Sequence, residues 1–130
     1  MSDQRYYQYR SMKLVAFESD EDCATGDGTL MIPIAEDLEG YSLYEVQSDS
    51  HTAGVTGTMD IQVRHRRAGS DNDVLDTKVQ VASGATSGQS TDVNSYGEDL
   101  QDGDGLFVDF DTVQTTPAKG ATVTLMLRKG

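Results

Sequence analysis

Tyrosine and arginine crowd the start of this chain, where Arg5, Tyr6, Tyr7, Tyr9 and Arg10 fall within residues 5–10. Both residue types bury a large area while keeping a polar tip, and both are enriched at the centres of protein interfaces. Chain termini are usually polar and loosely held. A free tail has no use for this many aromatics. Two arrangements fit: a docking arm spanning residues 1–11, or a first strand packed on its own domain with Tyr7 and Tyr9 on one side. The arm is the expectation, with residues 12–130 as the folded domain, so that removing Met1–Arg10 leaves the fold intact. Arg64, Arg66 and Arg67 form a second basic group. Arg64 and Arg66 share one strand face, where they meet either a partner or the chain's own carboxylates.

The other reactive residue types do not assemble into a catalytic pattern. Asp99, Asp102, Asp104, Asp109 and Asp111 could supply oxygen ligands around the Asp102–Gly105 turn. A helix–loop–helix calcium loop places an oxygen ligand at its fifth position and glycine at its sixth. Counted from Asp102, those positions hold Leu106 and Phe107, so the simpler reading is a tight acidic turn entering a strand. His51 and His65 have no second His or Cys at ligand spacing, and Cys23 is the sole cysteine. A half-buried His65 with a hydrogen-bonded ring is expected. No Gly-x-Ser-x-Gly turn accompanies the many serines, and the Ser83–Gly88 run lacks the Gly-Lys-Ser/Thr ending of a phosphate loop. The expectation is no catalytic residue, no metal ligand and no cofactor.

Alternation supplies the frame that must position these residues. Leu106, Val108 and Phe110 alternate with Phe107, Asp109 and Asp111, and Val123, Leu125 and Leu127 alternate with Thr122, Thr124 and Arg128. Met59, Ile61, Val63 and His65 likewise face away from Asp60, Gln62, Arg64 and Arg66. A period of two sets one row in a core and the other in water. Further strands are predicted over Met12–Glu18, over Thr29–Ala35 as an edge strand because Pro33 lacks a ladder donor, over Tyr41–Gln47 and over Val74–Ala82. Glu36–Gly40 is predicted as one helical turn. Ser19–Gly28, Ala68–Asp73 and Ser83–Ser95 read as turns and loops, with a short strand near Val93. The sum is an all-β, single-domain antiparallel β-sandwich of about eight strands, jelly-roll-like.

Composition agrees. The 130 residues carry 22 acidic side chains against 10 Lys and Arg, a formal net charge of −12. Such a field repels phosphate backbones, so nucleic acid is not an expected partner. It serves solubility and tolerance of high salt alike. No stretch approaches the roughly 20 apolar residues of a membrane helix, and no basic start leads into an apolar signal core. No membrane contact is expected, and synthesis and retention in a cytosol follow, with release only as part of a particle.

The run Gly26–Ile34, then Leu38–Leu43, resembles small virion proteins of tailed bacterial and archaeal viruses. Met59–Arg64, Val74–Lys78, Asp102–Asp104 and Thr115–Val123 extend the resemblance over about Gly26–Arg128. It implies a sandwich without enzymatic activity, assembled in the host cytoplasm into the virion. It further implies a symmetric homo-oligomer, a trimer or pentamer, bound to the major capsid protein or other virion proteins as a decoration, cement or turret protein. The rival readings are a head-spike or tail-fibre domain that recognises a host surface glycan or protein receptor, and an enzyme built on scattered carboxylates. The anchoring residues expected from composition are Arg5, Tyr6, Tyr7, Tyr9 and Arg10, with Arg64, Arg66 and Arg67 as the second surface.

Overall fold

The three clearest alternations become three of the four strands that lie inside the sheets: β4 (Met59–Arg67), β8 (Gly105–Thr112) and β9 (Lys119–Lys129). The structure, a computed structural model, describes residues 7–130. Around these strands lie β1 (Gln8–Asp22), β2 (Gly26–Pro33), β3 (Ser42–Asp49), β5 (Ser70–Asp73), β6 (Val79–Val81) and β7 (Ser87–Ser90). One sheet runs β1-β9-β3-β7; the other runs β2-β8-β4-β5, with β6 also paired to β4. Every ladder is antiparallel. First pairs with last, second with second-last, and β3 with β7, so the chain is a doubled ribbon rolled into two layers.

The core fills the space between the layers. Met59, Ile61, Val63, Leu106, Val108, Phe110, Val123, Leu125 and Leu127 are all buried in one cluster, as their alternation requires. Phe17 reaches from β1 to the opposite layer and meets Phe110 edge-on, with ring centroids 5.1 Å apart. Cys23 closes the β1–β2 connection with its thiol 3.5 Å from the Gly120 carbonyl that accepts from it. Burial, with Asp22 and Glu21 nearby, pushes that thiol up to about 11. It is a core group rather than a nucleophile.

Several boundaries differ from the pattern in the sequence, each for a tertiary reason. The expected arm over residues 1–11 is in part strand: Gln8 stands opposite Lys129, Tyr9 opposite Arg128, Arg10 opposite Leu127 and Ser11 opposite Met126. Tyr41 also donates its hydroxyl to Gln8 Oε1 at 3.1 Å. The acidic turn expected over Ser19–Gly28 shrinks to residues 23–25, because β1 runs on until Asp22 meets Lys119. The turn expected over Ala68–Asp73 is a hairpin. Ala68 and Gly69, at φ 51° and 80°, make a two-residue turn of the kind that suits the twist of its flanking strands.

β7 lies inside the Ser83–Ser95 run, where no apolar pattern marks it. Gly88 is required there, since a side chain would strike the carbonyl of Gln80. Val93 forms only an isolated bridge with Leu75. The strand expected over Val74–Ala82 is reduced to Val79–Val81, and Gln62, expected in water, is buried. Its side-chain amide accepts from Leu75 N–H and donates to Leu75 C=O, both at 2.9 Å, replacing a missing strand neighbour. Pro33 ends β2, an edge strand, and Glu36–Leu38 forms a single 3-10 turn, both as expected.

Two outcomes follow. Val108→Asp places an unpaired carboxylate in a fully buried site, costs several kcal/mol and abolishes the near-ultraviolet circular dichroism of the fold. Deleting Met1–Arg10 removes three ladder positions and the Tyr41 hydrogen bond, so urea unfolding should show a loss of about 1–2 kcal/mol. An unchanged midpoint would show that these β1 residues contribute nothing.

Candidate functional site

Arg64, Arg66 and Arg67 lie on and beside β4, and all three are held by the chain's own carboxylates. Arg64 donates from Nε to Asp109 at 3.0 Å and from Nη1 to Asp71 at 2.8 Å. Arg66 donates from Nε to Asp71 at 2.6 Å, and Arg67 donates from Nη2 to Asp104 at 2.8 Å. The guanidinium carbons of Arg64 and Arg66 both sit 4.6 Å from the Phe107 ring centroid, which fixes their planes. The hydrogen bond to Asp109 raises the Arg64 pKa further above its usual range. In turn the hydrogen bond from Arg66, then that from Arg64, lowers Asp71 to about 2. Of the two readings of this group, internal ion pairing is the one the geometry displays.

The acidic residues near the Asp102 turn separate rather than converge. Asp104 goes to Arg67 and His65, Asp109 to Arg64, and Asp111 to Lys78 at 2.9 Å. Among the described residues, no three His, Cys, Asp or Glu side chains group to hold a metal ion. Asp104 is the structural centre of the turn. It is buried, accepts from the Gln101 N–H at 2.9 Å and from both Nε and Nη2 of Arg67, and lies 2.9 Å from His65 Nε2. Burial alone would raise its pKa. The Arg67 and His65 hydrogen bonds outweigh that and hold the carboxyl well below its usual range. His65 is buried with this one ring contact, and its Nδ1 has no hydrogen-bond partner among the described residues.

A different surface collects the remaining basic residues. Arg10, Lys13, Arg128 and Lys129 have no carboxylate partner among the described residues, whereas Arg64, Arg66, Arg67, Lys78 and Lys119 each have one. These four side chains all lie on the first half of β1 and the last part of β9. The β1–β9 register brings Tyr9 opposite Arg128. A bulge between Leu43 and Glu45 inserts Tyr44 as an extra residue in β3, a device that re-aims a side chain. Arg128 then sits 4.8 Å from the Tyr7 ring centroid and 5.0 Å from that of Tyr44. Tyr9 stands 6.0 Å from each of those rings.

The result is one aromatic and cationic platform. Tyr9 is 58% exposed and Tyr7 38%. Arg10 and Lys129 fall in the opposite, inward row of the same ladder and approach the buried Tyr41 ring at 5.8 and 5.9 Å. An open cleft of about 520 Å³ beside the platform is lined by Ser42, Thr91, Glu98 and Asp99 as well as Tyr7, Tyr44 and Arg128.

Tyr7, Tyr9 and Arg10 are therefore brought together at this end; Arg5 and Tyr6 lie outside the described residues. Arg64, Arg66 and Arg67 belong to the other sheet. Tyr44 and Arg128 were not singled out by the sequence, because the first depends on a bulge and the second on a register. Arg128 alone left a trace, as the one cation on the polar face of the last strand. In comparisons with known proteins, no family model, curated protein or solved structure matches the chain.

The Asp104 geometry sets an acid dependence. Its lowered pKa means the ionised form stabilises the fold above the ordinary carboxylate range near pH 4, and that stability is lost as pH falls through the folded value. Asp71 works in the same direction. Asp104→Ala leaves Arg67 without a carboxylate and the buried His65 ring without its partner, costs about 3 kcal/mol at pH 7, and flattens the fall in stability below pH 4. Thermal unfolding across pH 2–7 measures both. A variant with wild-type acid sensitivity would place the sensitivity elsewhere.

Proposed function

We propose that this chain is a non-enzymatic structural protein that docks on an acidic partner surface through the Tyr7, Tyr9, Tyr44 and Arg128 platform. One observation carries the reading. In a protein of net charge −12, every basic side chain that lacks a carboxylate partner among the described residues lies on the β1–β9 pair, and one of them, Arg128, is held between the rings of Tyr7 and Tyr44 beside the exposed Tyr9. Arginine held between aromatic rings keeps its donors directed outward while losing little side-chain freedom on binding. The acidic remainder of the surface disfavours other approaches of an acidic partner and so sets orientation.

The resemblance to virion proteins of tailed viruses supplies a partner: the major capsid protein, with this chain as a decoration, cement or turret protein on the shell. The doubled ribbon supports a jelly-roll winding, since first-with-last pairing is how that fold is rolled. Many symmetric copies would give high occupancy even where each contact is weak. A second reading has its own observation. The polar cleft with Ser42, Thr91, Glu98 and Asp99 beside tyrosine rings suits a glycan, so a receptor-binding head-spike or tail-fibre domain is the alternative.

Rebinding to particles stripped of this protein separates the two. Arg128→Glu and Tyr9→Ala should each weaken shell binding about 30-fold, the scale of a 2 kcal/mol interface anchor, with circular dichroism unchanged. Wild-type occupancy by both variants would overturn the docking surface. Retained shell binding with loss of host-cell or glycan binding would favour the receptor reading.

A further inference from the structure

An open strand edge presents unpaired N–H and C=O groups, and natural sheets blunt such edges with short strands, prolines or breaks. Three of the edges here are blunted in this way. β5, β6 and β7 are only three or four residues long, and β2 carries Pro33 and a register break between Gly26 and Leu30. β1 differs. It runs for 15 residues, contains no proline, and among the described residues pairs on one side only, with β9, although that register shifts between Val15 and Phe17 and again between Phe17 and Asp22. Its inward side chains Met12, Leu14 and Phe17 are only partly buried, because the opposite layer does not fully cover them.

The charges along β1 are divided. Arg10 and Lys13 occupy its first half; Glu18, Asp20, Glu21 and Asp22 occupy its second. Such a strand is complementary to itself when run antiparallel. We infer that β1 pairs antiparallel with β1 of a second copy, joining two β1-β9-β3-β7 sheets across a twofold axis.

The bulge in β1 selects the register. Up to Val15 the even-numbered residues face inward, with Leu14 opposite the buried Val123; past the bulge Phe17 is inward, against Phe110. Setting Leu14 opposite Phe17 of the second copy keeps inward residues together and outward residues together. It also sets Lys13 opposite Glu18 of the second copy, the residue next to Phe17; beyond it the strand shifts register again before Asp22. Sliding two residues one way puts Lys13 opposite Ala16 and Arg10 opposite Ser19. Sliding two residues the other way sets Lys13 opposite Asp20 but puts the inward Leu14 opposite Ser19 and Met12 opposite Glu21. Only the first register matches both faces and charges.

The same strand supplies both sides of the contact, which is the condition for an isologous pair. This geometry joins copies in twos, unlike the trimer or pentamer implied by the resemblance, and it does not depend on the docking platform.

Sedimentation of the purified chain at low salt should show a monomer–dimer equilibrium that weakens as salt screens the contacts. Lys13 and Glu18 are exposed and make no ion pair within the described chain. Lys13→Glu and Glu18→Lys should each weaken the dimer about tenfold, because each change places like charges opposite one another twice per dimer. The second change lowers the net negative charge, so general repulsion predicts the opposite sign. The double variant K13E/E18K should restore dimerisation. A monomer at every concentration, an oligomer that the single changes leave untouched, or a double variant that fails to recover would each overturn the inference.

Discussion

The pairing of β9 with β1 on one side and β3 on the other is the constraint on which the rest depends. It joins the two ends of the chain, so the ribbon is closed by its first and last strands. The inward row of β9, with Val123, Leu125 and Leu127, forms one wall of the core. Its outward row carries Arg128 into a neighbourhood of rings contributed by Tyr7, Tyr9 and Tyr44. Core and candidate surface are therefore two faces of one strand. A slip of one residue would move Arg128 into the core and a buried leucine into water.

Charge is distributed under the same constraint. With 22 acidic and 10 basic residues, the fold places two of its arginines, Arg64 and Arg67, where a carboxylate is drawn out of water. Asp104 and Asp109 are each about 5% exposed or less, and both are met by arginines of β4. Removing carboxylates from water is costly unless they are paired and hydrogen-bonded. Arg64, Arg66 and Arg67 are thereby committed to stability. Among the described residues, the cations left without a carboxylate are the small group on β1 and β9, set against a surface of opposite sign.

The edges show a related economy of form. Most end in short or interrupted strands, which limits unspecific sheet growth. β1 is long, and what restrains it is its charge order: a neighbour must present acids to its first half and cations to its second. Chain direction and charge together specify a partner strand more narrowly than hydrophobic pattern alone would.

Periodicity by itself determined the all-β class, the inward rows of β4, β8 and β9, the edge character of β2 and the turn entering β8. These are local properties, set by side-chain alternation and by proline and glycine. Local pattern failed where a strand's partner was distant in sequence. β7 is written in serine and glycine because Gly88 must pass close to Gln80, and β5 is acidic because its role is to face the arginines of β4. Composition set the tyrosine-rich start apart from an ordinary polar terminus. That segment's attachment to β9 was not legible, because register between strands more than 100 residues apart leaves no trace in either segment alone. Tertiary structure likewise decided which arginines of the described residues are ion-paired. A guanidinium's partner depends on which carboxylate the fold brings within hydrogen-bond reach, and only the closed ribbon sets that distance.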